Sequence, residues 1–120
     1  MKIAIAEDET LPALTLHAGL TSRGYTVLKP VATGTGILEL AGKERFDVVI
    51  MDINLRGSLK GLDAAAMLKE EYSDIKIIFV TGYEDQASYD QAMELKPAAF
   101  LRKPFVIADI TTILENISAS

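Results

Sequence analysis

The sequence predicts an α/β domain built on a parallel sheet, and three observations lead there. Five short apolar segments recur at similar spacing along the 120 residues. Stretches of helical character fill the gaps, so strand and helix alternate five times. Several of the apolar segments run without polar interruption, as strands covered on both faces do. Hydrophobic residues make up 49% of the chain, enough for a core, and the length fits one domain.

The first strand is KIAIA (2–6), followed by a helix over 9–23 whose apolar stripe reads Leu11, Leu14 and Ala18. YTVLK (25–29) is the second strand, and residues 34–43 form a helix that offers Ile37, Leu40 and Ala41 to the core. DVVIM (47–51) is the third strand and the most continuously apolar. Gly61 then opens LDAAAMLKEEY, a run of good helix formers over 61–72. KIIFV (76–80) is the fourth strand, and the polar stretch 85–95 carries only a thin stripe of Ala92 and Leu95. AAFLR (98–102) is the fifth strand. The last helix, 105–117, shows the clearest period, with Phe105, Ile110, Ile113, Leu114 and Ile117 at three- and four-residue steps. The tail ENISAS reads as a fraying helix end, and no repeat, low-complexity segment or linker interrupts the pattern.

Composition excludes several classes. A net charge of -5 argues against nucleic-acid binding, which wants a basic face. With no cysteine there is no disulfide framework, thiolate metal site or cysteine nucleophile. The single histidine, His17, lies in the first helix with no second histidine to share a metal, and reads as a solvent-facing or half-buried helix residue. No apolar run approaches the ~20 residues of a membrane span. MKIAIAEDE turns acidic too soon for a signal peptide, so a cytoplasmic protein is the expectation.

Open parallel sheets bind ligands outside the carboxyl ends of their strands. Glu7 and Asp8 follow the first strand, Asp52 the third with Asn54 two residues on, Thr81 and Gly82 the fourth, and Lys103 and Pro104 the fifth. The second strand, expected at an edge, offers nothing comparable. Three close carboxylates repel one another unless one holds a proton or all hold a cation. Oxygen ligands without His or Cys select a hard cation, and Mg²⁺ suits because it needs few protein ligands. Lys103 supplies a charge for a phosphoryl oxygen, and Thr81 a hydrogen bond. A carboxylate beside Mg²⁺ and a lysine is equipped to become an aspartyl phosphate. Singly, each residue has an ordinary explanation: Asp8 as the N-cap of 9–23, Asp52 as a turn residue, Thr81 as a strand-end hydroxyl, Lys103 as a surface lysine. Four strand ends carrying the right residue together are harder to explain that way.

The motifs AEDE, MDINL, FVTGY and FLRKPF, in this order and at these spacings, resemble the receiver domain of two-component response regulators over essentially the whole chain. The resemblance implies one receiver domain over 1–120 and a doubly wound, flavodoxin-like five-stranded sheet of order 2-1-3-4-5. It implies that Asp52 is the phosphoacceptor, taking its phosphoryl group from a histidine kinase or histidine phosphotransferase. Asp8 and Asp52 would bind Mg²⁺ directly, Glu7 largely through water, and Asn54 through its backbone carbonyl. Thr81, Gly82 and Lys103 would face the phosphoryl group, and the bond from Lys103 to Pro104 would be cis. Thr81 and Phe100 would form the switch, read by a downstream protein on the face of the fourth helix, fifth strand and fifth helix. Such a switch works by binding rather than as an enzyme with a turnover of its own.

Several positions depart from the common pattern. LRGSLKG is slightly long, with Lys60 where the family often has Asp before the Gly. Phe100 replaces the more frequent Tyr. Tyr83, two beyond Thr81, is placed to shield or admit attacking water. FVTGY is similar in part to a Phe-Ala-Thr-Gly subgroup of mostly stand-alone receivers, though Lys76-Ile77 stands where that subgroup has Pro-Phe. The expectation is a stand-alone response regulator, monomeric or a phosphorylation-linked dimer, with the receiver part of a longer signalling protein as the alternative. Two other readings fit less well. An aspartyl-phosphate hydrolase of the haloacid dehalogenase class would want an acid at Asn54. A flavin carrier would want a phosphate loop where Glu7 and Asp8 stand.

Overall fold

The structure is a computed structural model and describes residues 1–82 and 85–119. Its elements are β1 (Lys2–Ala6), α1 (Thr10–Thr21), β2 (Thr26–Val27), α2 (Gly34–Lys43), β3 (Val48–Asp52), α3 (Gly61–Glu71), β4 (Lys76–Thr81), α4 (Gln86–Glu94), β5 (Ala99–Arg102) and α5 (Ile107–Ala119). The five strands are parallel in the order β2-β1-β3-β4-β5, as the resemblance implied. β3 lies at the centre and all five of its residues are buried.

Alternation along each strand divides the apolar residues between two cores. Ala4, Val49, Met51, Ile77 and Phe79 face α2, α3 and α4 through Ile37, Ala64, Leu68 and Ala92. Ile3, Ile5, Val48, Ile50 and Ile78 face α1 and α5 through Leu16, Leu20, Ile110 and Leu114. Burial on both faces is why the strands read as unbroken apolar runs.

Four boundaries or faces differ from expectation. The buried residues of α1 are Ala13, Leu16 and Leu20, while Leu11 is 75% and Leu14 55% exposed and Ala18 is also exposed. Apolar residues surround this helix, so periodicity alone does not choose its face. Packing against α5 does: a Cβ on Gly19 would stand 2.8 Å from Ile107 Cδ1. β2 is shorter than 25–29 because Pro30 has no N–H to donate. Pairing resumes beyond it, where Val31 N–H donates to the Ile5 carbonyl at 2.9 Å. α5 begins at Ile107, leaving Phe105 in the preceding loop, and the Asp109 carboxylate accepts the Val106 N–H at 3.0 Å to close its first turn. At its other end α5 continues to Ala119, two residues beyond the expected 117.

Candidate functional site at the carboxyl edge of the sheet

β1, β3, β4 and β5 all end on one edge, and the polar residues that follow them meet there. Asp52 is the last residue of β3 and Thr81 the last of β4, so strand pairing holds the backbone of each up to the site itself. Asp52, Glu7 and Thr81 are buried, at 4%, 7% and 1% exposure, while Asp8 is half-buried. Carboxylate oxygens of Glu7, Asp8 and Asp52 lie within 4.8 Å of one another. Lys103 reaches in from the β5–α5 loop. Its Nζ donates to Glu7 Oε1 at 2.6 Å and to Asp52 Oδ2 at 2.8 Å.

The second oxygen of each of these two carboxylates accepts a backbone N–H. Asp52 Oδ1 accepts the Asn54 N–H at 2.9 Å, and Glu7 Oε2 accepts the Glu9 N–H at 3.1 Å. The Lys103 N–H donates to the Thr81 carbonyl at 2.8 Å, which binds the two loop starts together. Burial pushes the Glu7 carboxyl above its ordinary value; the Lys103 hydrogen bond opposes this and the Asp52 charge adds to it. Partial burial alone would pull Lys103 down, but its hydrogen bonds to Asp52 and Glu7 outweigh this and hold it above the ordinary lysine value. The half-buried ammonium, flanked by two acids, therefore stays charged.

The other expected residues fall nearby. Gly82 is exposed, and a Cβ there would stand 3.8 Å from Lys103 Cδ, so it adjoins the lysine stem. The bond from Lys103 to Pro104 is cis. Asn54 is exposed on the β3–α3 loop. Phe100 lies away from the acids, in β5, with its ring 6.4 Å from that of Phe79 and edge-on to Tyr89 of α4 at 5.1 Å. Asp8 does not cap α1, whose N-cap is Glu9 with no side-chain hydrogen bond. Tyr83 lies outside the described residues.

Three neighbours were not visible as site residues in the sequence. Arg56 Nη2 donates to the Asp8 carbonyl at 3.3 Å. Gly61 packs against the Asp52 backbone, where a Cβ would stand 2.1 Å from its carbonyl oxygen. Tyr89 covers the outer edge of Phe100. The Arg56 and Gly61 contacts depend on how the β3–α3 loop folds back, and only the glycine at a helix start gave a hint.

An acid trio whose oxygens could hold a metal ion thus stands beside a lysine at the carboxyl edge of a doubly wound parallel sheet. The chain belongs to the response regulator receiver domain family, whose model matches residues 3–115. It is 30% identical over 115 residues to the TorCAD operon transcriptional regulatory protein TorR of Escherichia coli (strain K12), covering 96% of this chain and 49% of that protein. The chain spans about half the length of the curated relatives it matches. Among solved structures it is similar to the signal receiver domain of a modulated diguanylate cyclase from Desulfovibrio desulfuricans G20, with TM-score 0.87, 32% identity and coverage of 95% of this chain and 90% of that one. It is also similar to a response regulator from Burkholderia pseudomallei with a phosphorylated aspartic acid, a calcium ion and citrate, with TM-score 0.85, 30% identity and coverage of 98% and 71%. No described helix is long and apolar enough to cross a membrane.

Proposed function

We propose that this receiver domain, spanning 1–120, is a phosphorylation switch with Asp52 as its phosphoacceptor. The observation that carries the reading is the bridge of Lys103 Nζ between Asp52 and Glu7, with Asp8 in the same cluster. It leaves three acids against one ammonium, a charge balance that suits a divalent cation. Glu7, Asp8 and Asp52, with the Asn54 carbonyl, would hold Mg²⁺, a hard cation suited to such oxygens. When bound it neutralises charge on the transferring phosphoryl group. The phosphorylated aspartic acid and the calcium ion in the Burkholderia relative support the same assignment.

The phosphoryl group comes from a phosphohistidine of a kinase or phosphotransferase. An Asp52 carboxylate oxygen forms a bond to phosphorus as the P–N bond breaks. The electron pair returns to the ring nitrogen, and the histidine leaves neutral with its proton on the other nitrogen. Lys103 is drawn to the new phosphoryl oxygens, Thr81 donates its hydroxyl, and Gly82 leaves room above them. Thr81 and Phe100 then shift the population of the α4–β5–α5 face, which a downstream protein reads. A cytoplasmic location belongs to the same reading, whether the domain acts alone or within a longer signalling protein.

The test is intact mass after incubation with acetyl phosphate and Mg²⁺. One phosphoryl adduct is expected, absent from Asp52→Ala and from an EDTA control. No adduct, together with unchanged spectra on adding beryllofluoride and Mg²⁺, would reject the switch.

A further inference from the structure

The β3–α3 loop brings a second cation to the rim of the site. Along it, Ile53 and Leu55 are buried and anchor the loop, while Asn54 and Arg56 are exposed. The backbone of Arg56 forms a bridge with Thr33, and Gly57 turns the chain at φ 94. Lys60 Nζ donates to the Leu55 carbonyl at 3.0 Å and draws the two ends of the loop together. These contacts fix the backbone from which Arg56 reaches across 48 residues of sequence to the Asp8 carbonyl.

The partner matters. The Arg56 guanidinium touches a neutral carbonyl, and among the described residues it forms no ion pair and no other hydrogen bond. Its positive charge is therefore not cancelled by a carboxylate, and most of its five N–H donors remain open to a ligand. Lys103, by contrast, is committed to two acids inside the site. A phosphoryl donor approaching three carboxylates meets repulsion first. A planar guanidinium matches the oxygens of a phosphoryl group in a paired, forked geometry that an ammonium does not offer.

We propose that Arg56 recognises the donor: its guanidinium binds the dianionic phosphoryl group of an acyl phosphate or phosphoramidate at the mouth of the site and delivers it to Asp52. This rests on Asp52 being the phosphoacceptor. Arg56 takes no part in making or breaking the bonds to phosphorus.

The experiment follows phosphoryl uptake from acetyl phosphate by intact mass in wild type, Arg56→Gln and Arg56→Lys, at low and high salt. Loss of the phosphoryl group after donor removal and the Mg²⁺-dependent shift in melting temperature are measured on the same samples. Arg56→Gln lowers the second-order uptake rate about three- to fivefold, the size expected for one charge contact at a solvent-exposed rim. Arg56→Lys recovers part of that loss, and the gap between variants narrows at high salt. Phosphoryl loss and the Mg²⁺ shift stay at wild-type values, because donor capture touches neither. Unchanged uptake in Arg56→Gln overturns the proposal. So does an uptake defect accompanied by faster phosphoryl loss or a weaker Mg²⁺ shift, which would mean that Arg56 acts by positioning Asp8. No uptake from acetyl phosphate by wild type overturns this inference; if beryllofluoride with Mg²⁺ also leaves the spectra unchanged, the assignment of Asp52 fails as well.

Discussion

Alanine at Gly61 should damage the fold and the site together, and the reason is space. A Cβ on Gly61 would stand 2.1 Å from the Asp52 carbonyl oxygen and 2.9 Å from Ile53 Cα. Real Cβ contacts under 3.0 Å essentially never occur, so β3 or α3 must retreat by about 0.9 Å. Both neighbours are backbone, and no side-chain rotation relieves the clash. The Gly61 N–H also donates to the Ile53 carbonyl at 3.0 Å, so the two segments cannot separate without losing that bond. Overpacking of this kind costs about 1–3 kcal/mol. A shift near 1 Å at a reacting group lowers a rate by up to about a hundredfold. Gly61→Ala should therefore lose about 2–3 kcal/mol in urea unfolding and take up phosphoryl groups at least about tenfold more slowly. Gly42→Ala is the control. It lies in α2 with nothing within 4 Å of an added Cβ, and should gain a few tenths of a kcal/mol from helix propensity. Should Gly61→Ala unfold within about 0.5 kcal/mol of wild type, the packing argument is refuted whatever the site does.

Three further outcomes follow from the charges. Lys103→Met leaves Glu7 and Asp52 without their shared ammonium and should cost about 2 kcal/mol in metal-free urea unfolding, partly restored by Mg²⁺; an unchanged midpoint would contradict it. Burial raises the Glu7 carboxyl in the folded state above its ordinary 4.5, so the folded chain binds the proton more tightly than the unfolded one. The Glu7 contribution is thus favourable below 4.5 and lost as pH rises through the raised value, and metal-free wild type should lose stability relative to Glu7→Gln over that interval. A difference that stays flat or grows with pH would count against it. In wild type each tenfold rise in free Mg²⁺ above its dissociation constant should add about 1.4 kcal/mol of stability. Asp8→Asn and Asp52→Asn should flatten that dependence in thermal melts, while Glu9→Gln should leave it nearly intact.

The strand ends were legible because a parallel sheet covered on both faces leaves polar residues only where a strand emerges. Asp52 after VVIM and Thr81 after IIFV are boundaries in the apolar pattern before they are anything else. The face of α1 was not legible for the converse reason. Leu11, Leu14, Leu16 and Leu20 surround the helix, and only the approach of Ile107 to Gly19 decides which of them meet the sheet. Arg56 escaped notice because its partner is a backbone carbonyl 48 residues away, and no side-chain pattern announces a carbonyl. Pro30 was in plain sight, yet its missing N–H matters only once Ile5 is known to be the strand opposite.

Charge counting links Lys103, the metal and Arg56 into one sequence of states. Three carboxylates and one ammonium leave the resting cluster two negative charges in excess. A divalent cation held by the same oxygens would bring it to balance. On the proposed reading, phosphorylation replaces the single charge of Asp52 with about two on the phosphoryl group, so the cluster is again short of roughly one positive charge. Lys103 cannot supply it, since it is already in the count. Arg56 meets phosphoryl charge earlier, on the incoming donor at the rim, because the one hydrogen bond of its guanidinium goes to a carbonyl and its charge is otherwise uncommitted among the described residues. A site built only from Glu7, Asp8, Asp52 and Lys103 would be balanced for the metal and would repel its phosphoryl cargo on approach; on the proposed reading Arg56 offsets that repulsion at the mouth and leaves the phosphorylated state as it was.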